Sequence, residues 1–318
     1  MDNGSSILKW GLFNLIILLI CKSTFLFAQE NVTLPLLKAA NVTAFDIDEG
    51  LPISCAFNGL LDTEGRLWIN PCFAQTEHQT VPFYQYDGVT SQLVKWDSLP
   101  NGFDGQAAFS GLLQSGWIYG FFRKTDRFFL FNPDTHNTRF YSLDKPGAEI
   151  LHVGHSDRQQ LTIYAVSEME HLLYRLNGDS ARLLYSLPMI QGEPEVYRKS
   201  AYLRLNQTYQ TQLVHGDDFW FLRPVFLTRT GEERWYSVSF ERINMRTGER
   251  RTYTLEELTG KDQVLVENGD LPRYNISRDM KGNVLFFLIP LKLIIRLDNK
   301  TGGLARESSE TFPASSTL

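Results

Sequence analysis

The chain has 318 residues, 43% of them hydrophobic, 13% aromatic and 21% charged, with a formal net charge of −5 and a pI near 5.7. That composition can bury a large core and is not that of a disordered tail. The acidic balance excludes the basic footprint that nucleic acid or an anionic membrane surface demands.

Residues 1–28 read as an export signal: Lys9 precedes the apolar stretch Leu12 to Ile20, and Phe27-Ala28-Gln29 follows, with Ala28 as the expected last residue before cleavage. A membrane anchor is the alternative reading, but that stretch falls short of the roughly 20 residues a spanning helix needs. The mature chain, with no transmembrane span, is therefore expected in the periplasm or secreted. Residues 29–42 form a lead segment, 43–307 the folded domain and 308–318 a polar tail.

The folded part repeats. An apolar residue followed by Asn or Asp opens a turn at Tyr86-Asp87-Gly88, Phe131-Asn132-Pro133, Leu176-Asn177-Gly178, Ile243-Asn244-Met245 and Leu297-Asp298-Asn299. Asp87, Asn132 and Asn177 are 45 residues apart, and the next two intervals are 67 and 54. β-rich units at such a period predict an all-β propeller of four-stranded antiparallel blades.

In the first unit Ala56 to Leu61 leads into Asp62-Thr63-Glu64-Gly65, and Arg66-Leu67-Trp68-Ile69 returns. The Asp-x-x-Gly spacing suits a turn whose last residue takes a left-handed conformation. Pro82 to Tyr86, the Asp87-Gly88 turn and Gln92 to Trp96 complete four strands. Further units run over 107–143 and 150–187, the latter followed by the insertion Pro188 to Thr208. The fourth holds Asp217 to Phe221, Trp235 to Ile243 and Arg250 to Leu255. The fifth repeats the first, through Tyr274 to Arg278, Asp279-Met280-Lys281-Gly282, Asn283 to Phe287 and Leu291 to Leu297. Five blades are thus visible, six if the insertion hides one. Val42 to Ile47 reads as an outer strand without a vacancy in the last blade, so the ring is expected to close incompletely, or the natural chain to continue.

Chemistry-bearing motifs are sparse. His152-Val153-Gly154-His155 with Asp157 is a poor metal set, because strand residues three apart point to opposite faces. His215-Gly216-Asp217-Asp218 reads as a tight turn. Asp46, Asp48 and Glu49 alternate oxygens without the rest of a calcium loop. No phosphate loop, dinucleotide fingerprint, nucleophile elbow or zinc-protease helix is present. No catalytic residue, metal or cofactor is expected. The blade aromatics, Trp68 among them, are expected to pack between blades. Those in irregular segments, Phe73, Trp96, Phe103, Tyr197 and Tyr209, are the candidates for stacking on a sugar ring. Cys55 and Cys72 flank the first hairpin; a two-residue turn at Thr63-Glu64 would pair them, whereas a bulge at Gly65 would shift the register by one unless Pro71 restores it.

Residues 45–99 resemble the two-component regulator propeller repeat of bacterial sensor proteins. The matching elements are Asp48-Glu49-Gly50-Leu51-Pro52, Asp62-Thr63-Glu64-Gly65-Arg66-Leu67-Trp68-Ile69 and Tyr86-Asp87-Gly88, with a second copy at Asp279 to Phe286. Asn70-Pro71 departs from the usual Gly-Thr and leaves the end of that strand in question. The resemblance implies an extracytoplasmic sensor module that binds a glycan fragment or other small polar ligand, without catalysis, and works with a histidine kinase or regulator module. The alternative is a secreted propeller hydrolase or lyase acting on glycans. Two carboxylates about 5–9 Å apart at one end of the ring would favour the enzyme.

Overall fold

Strands buried on both faces are written in near-continuous apolar runs; of the 21 strands among the described residues of the computed structural model, Ile118–Phe122 and Leu161–Val166 are buried throughout, whereas Arg250–Thr254 is exposed at all but Tyr253. The structure describes residues 56–71, 83–87, 90–94, 96, 99–100, 107–156, 158–190, 193, 212–230, 233–261, 264–266, 274–288, 291 and 293–308. Blade 1 comprises β1 (Ala56–Leu61), β2 (Leu67–Pro71), β3 (Phe83–Tyr86) and β4 (Ser91–Val94). Blade 2 comprises β5 (Ala107–Leu112), β6 (Ile118–Phe122), β7 (Arg127–Phe131) and β8 (Thr138–Ser142). Blade 3 comprises β9 (Glu149–His155), β10 (Leu161–Val166), β11 (Glu170–Asn177) and β12 (Ser180–Pro188). Blade 4 holds β13 (Gln212–His215), β14 (Asp218–Thr230), β15 (Glu233–Asn244) and β16 (Arg250–Thr254). The helix α1 (Leu255–Thr259) and a short β17 (Val264–Val266) follow it. Blade 5 holds β18 (Tyr274–Arg278), β19 (Val284–Leu288), β20 (Leu293–Leu297) and β21 (Leu304–Ser308).

Within each sheet the strand order is the chain order, with β17 added on β15. The chain is a β-propeller, and β1, β5, β9, β13 and β18 are the inner strands, each beside the next. Three buried clusters fill the seams. One joins blades 1 and 2 around Trp68, Phe83, Phe109 and Phe131, a second joins blades 2 and 3, and the largest joins blades 3, 4 and 5. Among the described residues no such cluster joins blade 5 to blade 1. Residues 42–47 and 194–211, on which ring closure and a sixth blade were expected to turn, lie outside the described residues.

The recurring Asp and Asn hold their turns by one device, a side-chain oxygen that accepts the N–H groups two to four residues on. Asp87 accepts from Thr90, Asn132 from Asp134 and Thr135, Asn244 from Arg246 and Thr247, Asp279 from Lys281 and Asn283, and Asp298 from Lys300 and Thr301. Asn177 pairs with Ser180 around a two-residue turn. Gly65 and Gly282 close the first and last of the inner hairpins with φ of 81°, where a side chain would be strained.

Asp62 carries more than its turn. Its carboxylate accepts from the Glu64 and Arg66 N–H groups, from Arg66 Nε at 2.6 Å and from Trp68 Nε1 at 2.8 Å, and the residue is buried. It thereby fixes the indole whose edge meets Phe131 of blade 2 at 5.0 Å. Asp62→Ala is expected to lower stability by about 1–3 kcal/mol, since the indole N–H loses its buried acceptor; a chemical-denaturation midpoint measures it.

Asn70 answers the question left at the end of β2. It is buried, donates to the Ala107 carbonyl at 3.3 Å and accepts from the Phe109 N–H at 2.9 Å, so its amide ties β2 to the inner strand of blade 2. The register of β1 and β2 is shifted beside the turn, with Leu61 opposite Leu67, and a bulge then brings Ala56 opposite Pro71. Cys55 and Cys72, the next positions outward, lie outside the described residues. For the pairing raised by the sequence, the expected result is no free thiol in unreduced, unfolded protein of residues 29–318, and two free thiols would rule it out.

Blade 4 departs most from expectation. β14 does not stop near Phe221 but runs on beside β15, which begins two residues before the expected Trp235, to a Thr230–Glu233 pair, forming a ribbon with β17 along β15. Pro224 hides this in the sequence, because proline removes a ladder donor. Among the described residues β13 pairs β14 as far as Phe221, before Pro224 is reached. No helix among the described residues is long and apolar enough to cross a membrane.

Candidate functional site

Met189, Ile190 and Glu193, which follow β12, lie beside the stretch where β14 runs on past β13, at the seam between blades 3 and 4. Alternate residues of a strand share a face, so Phe219, Phe221 and Arg223 form one row on β14. Phe219 and Phe221 lie against Tyr164 of blade 3, with ring centroids 5.4 and 5.2 Å away, and Phe221 also meets His171 at 5.2 Å. Glu241, opposite Phe221, and Thr252, opposite Glu241, carry the same face outward across β15 and β16.

Arg223 is the next residue of this row and is 3% exposed. It donates from Nε and Nη2 to the two oxygens of Glu193, at 3.0 and 2.7 Å, from Nη1 to Glu241 at 3.3 Å and from Nη2 to the Pro188 carbonyl at 2.9 Å. Glu193, fully buried, also accepts the Ile190 N–H at 2.9 Å, while its own N–H returns to the Ile190 carbonyl. Glu241 receives Arg250 through two bonds of 2.9 Å and the Thr252 hydroxyl at 3.0 Å.

His171 closes the inner side. Its Nε2 lies 2.7 Å from Glu193 and its Nδ1 2.8 Å from the Tyr164 hydroxyl. These partners assign the neutral tautomer that donates from Nε2 and accepts at Nδ1. Burial pushes the imidazole below its ordinary pKa, Arg223 adds to this, and Glu193 only partly opposes it. For Glu193 burial alone would push the carboxyl up, but His171 and Arg223 outweigh it and hold it at about 2. Glu241 is likewise held below the usual range, chiefly by Arg250.

The arrangement brings two carboxylates onto one guanidinium. A general acid needs a raised pKa and a free oxygen facing substrate, whereas both groups are depressed, buried and bonded to arginine. A buried charge is stable only when paired, and here the pairing ties Glu193, which follows β12, to Arg223 of β14 and through it to Glu241 of β15. Met169 and Ile190, 62% and 48% exposed, stand above it, joined through the Met189 N–H to Met169 carbonyl bond.

Of the ring-stacking candidates, Trp96 is in the core between blades 1 and 2. Its Nε1 donates to Thr138 at 2.8 Å, and Phe83, Phe122, Phe129 and Phe140 surround its ring. Phe73, Phe103, Tyr197 and Tyr209 lie outside the described residues, as do Asp46, Asp48, Glu49 and Asp157. The two histidines of β9 diverge. His155 Nδ1 is 2.8 Å from the Tyr119 hydroxyl of blade 2, while His152, opposite Tyr164 in the register, sits over Gly154. A Cβ on Gly154 would come within 2.7 Å of His152 Nε2 and 3.1 Å of Val214, so glycine here permits the approach of two inner strands. Gly216 and Asp217 form the two-residue turn between His215 and Asp218.

The seam residues His171, Glu193, Arg223, Glu241 and Arg250 were not among the expected site residues. A signal existed: Arg223 and Glu241 interrupt the runs Phe219 to Leu222 and Val238 to Phe240, where a blade packed on both faces has no water to offer a charge.

No protein-family model and no curated protein matches the sequence. Solved structures match in fold. A catalytically inactive virginiamycin B lyase from Staphylococcus aureus, with quinupristin, is 13% identical with a TM-score of 0.49, over 82% of this chain and 73% of that one. An auxiliary nutrient binding protein from Bacteroides ovatus is 11% identical with a TM-score of 0.43, over 81% and 60%. The extracellular domain of a proposed one component system from B. thetaiotaomicron is 14% identical with a TM-score of 0.35, over 85% of this chain and 38% of that one. At these identities the likeness bears on fold alone.

Proposed function

We propose that the chain is an extracytoplasmic ligand-binding propeller of the sensor kind, which takes a glycan or other small polar ligand at the end of the blade 3–4 seam where Glu193 lies and performs no chemistry on it. The supporting observation is the Arg223 cluster. It ties Glu193, which follows β12, to Arg223 of β14 and leaves both carboxylates bonded to arginine, which supports a pre-organised binding end rather than an acid or nucleophile role. A separate kinase or regulator module would read the bound state.

The test uses purified protein of residues 29–318. A panel of plant and host oligosaccharides is screened by thermal shift, and each hit is recovered and sized. One ligand class should raise the melting temperature, by the equivalent of about 2.7 kcal/mol at a hundredfold excess over Kd, and come back unaltered. Shortened or unsaturated products would establish the hydrolase or lyase instead.

A further inference from the structure

Four arginines gather at the other end of the seam between blades 3 and 4, away from Glu193, where hairpin turns of both blades come together. Arg175 of β11 and Arg182 of β12 stand directly opposite each other, close to the two-residue turn that joins their strands. They are on the face of blade 3 that meets blade 4, since Thr162, opposite Arg175 on β10, donates to Met245 Sδ at 3.5 Å. Arg158 belongs to the turn before β10 and Arg246 to the turn after β15. Both are more than two-thirds exposed, and both reach Asp217 Oδ2, at 3.7 and 3.2 Å. Met245 ties the group together: its N–H donates to the Asp217 carbonyl at 2.7 Å, and its carbonyl accepts from Arg175 Nη2 at 3.4 Å.

Like charges directly opposed across a strand pair are destabilising, and N–H groups taken out of water need acceptors. Arg175, half-buried, has the long bond to Met245, while its Nε is buried without an acceptor. Arg182 is exposed and forms no ion pair among the described residues. One carboxylate among those residues, Asp217, reaches any of the four, and it is shared by the outer two. Asp179 and Glu249 lie in the flanking turns and pair with neither Arg175 nor Arg182; Asp179 bears on Tyr141 of blade 2 and Glu249 on Arg242. An oxyanion set between Arg175 and Arg182 reverses the sign of their interaction. Guanidinium groups hold phosphate or sulfate oxygens through paired N–H donors, and on a chain of net charge −5 such a patch is a local exception.

We propose that this end of the seam is an oxyanion site, in which Arg175 and Arg182 take a phosphate or sulfate group and Arg158 and Arg246 flank it. The site is separate from the ligand surface proposed above, and neither reading depends on the other.

The experiment titrates protein of residues 29–318, and its Arg175→Gln and Arg182→Gln variants, by isothermal calorimetry. The probes are sodium phosphate, sulfate and chloride at matched ionic strength, then glucose 6-phosphate, galactose 6-sulfate and galacturonate. The expected result is saturable binding of a phosphate or sulfate probe, weakened at least fivefold in each variant, with no saturable chloride response. Arg182 is on the surface, so Arg182→Gln keeps the test decisive if Arg175→Gln folds poorly. Binding of the inorganic ions alone assigns the site to the free ion, and tighter binding of one ester assigns it to a phosphorylated or a sulfated ligand; each supports the site. Titrations indistinguishable from chloride, galacturonate bound as tightly as the esters, or binding unchanged in both variants would overturn it.

Discussion

Replacing Arg223 by methionine is expected to lower the folding stability by about 3–5 kcal/mol, the usual cost of removing one partner from a buried ion pair. The loss comes less from the missing bonds than from what they leave behind. Glu193 is fully buried and Glu241 is 1% exposed, and Arg223 is the cation they share. Glu193 would keep only neutral His171 and the Ile190 N–H, whereas Glu241 would retain Arg250. Urea denaturation gives the magnitude. Adding Glu193→Gln to the Arg223→Met protein should recover part of the loss, because the stranded charge is gone; a double variant less stable than the single one would show that the residues contribute independently.

This cluster also marks where the sequence stops being informative. The turns were legible because each is local: Asp62, Asn132, Asp279 and Asp298 serve N–H groups within four residues, and a 45-residue spacing relates Asp87, Asn132 and Asn177. Blade strands were legible for the same reason, each pairing with its chain neighbour. Seam chemistry was not, since Glu193 and Arg223 are 30 residues apart and His171 another 22 before Glu193. Nothing in the neighbourhood of any one of them specifies the others. The run of β14 past Phe221 was not expected, and a proline at 224, which lacks a ladder donor, argues against such a strand in any local reading. Trp96, taken from an irregular segment, is enclosed by aromatic neighbours that belong to blade 2 as well as blade 1, a contact no local pattern records.

The second large effect expected is acid lability in two stages of the same sign. Burial pushes His152 down to about 4 and holds His171 below its ordinary value. Between about pH 6.5 and 4 the unfolded histidines bind protons that the folded ones refuse. Stability must therefore fall as the pH falls through that window, by up to about 3 kcal/mol for His152. Glu193, held at about 2, and Glu241, also depressed, stay ionised where an unfolded glutamate is protonated. Their contribution is present above the ordinary glutamate range and is lost below about pH 4.5, so the descent continues. Denaturation midpoints should be level from pH 8 to about 7 and decline from about pH 6.5 to 3. His152→Asn should flatten the upper stage alone; an unchanged slope in that variant would assign the upper stage to other groups.

The chain-order pairing of every blade has a kinetic corollary. Contacts within a blade span short loops, so each sheet can form quickly and on its own, whereas contacts between blades wait for their neighbours. Aromatic seams such as that of Trp68 and Phe131 can close by simple collapse. The seam between blades 3 and 4 has to strip water from Arg223, Glu193 and Glu241 before any of them gains a partner, and Glu193 arrives on an insertion rather than on a strand. That junction is accordingly where the barrier to refolding should be concentrated, with the halves on either side already native-like while the last charges dock.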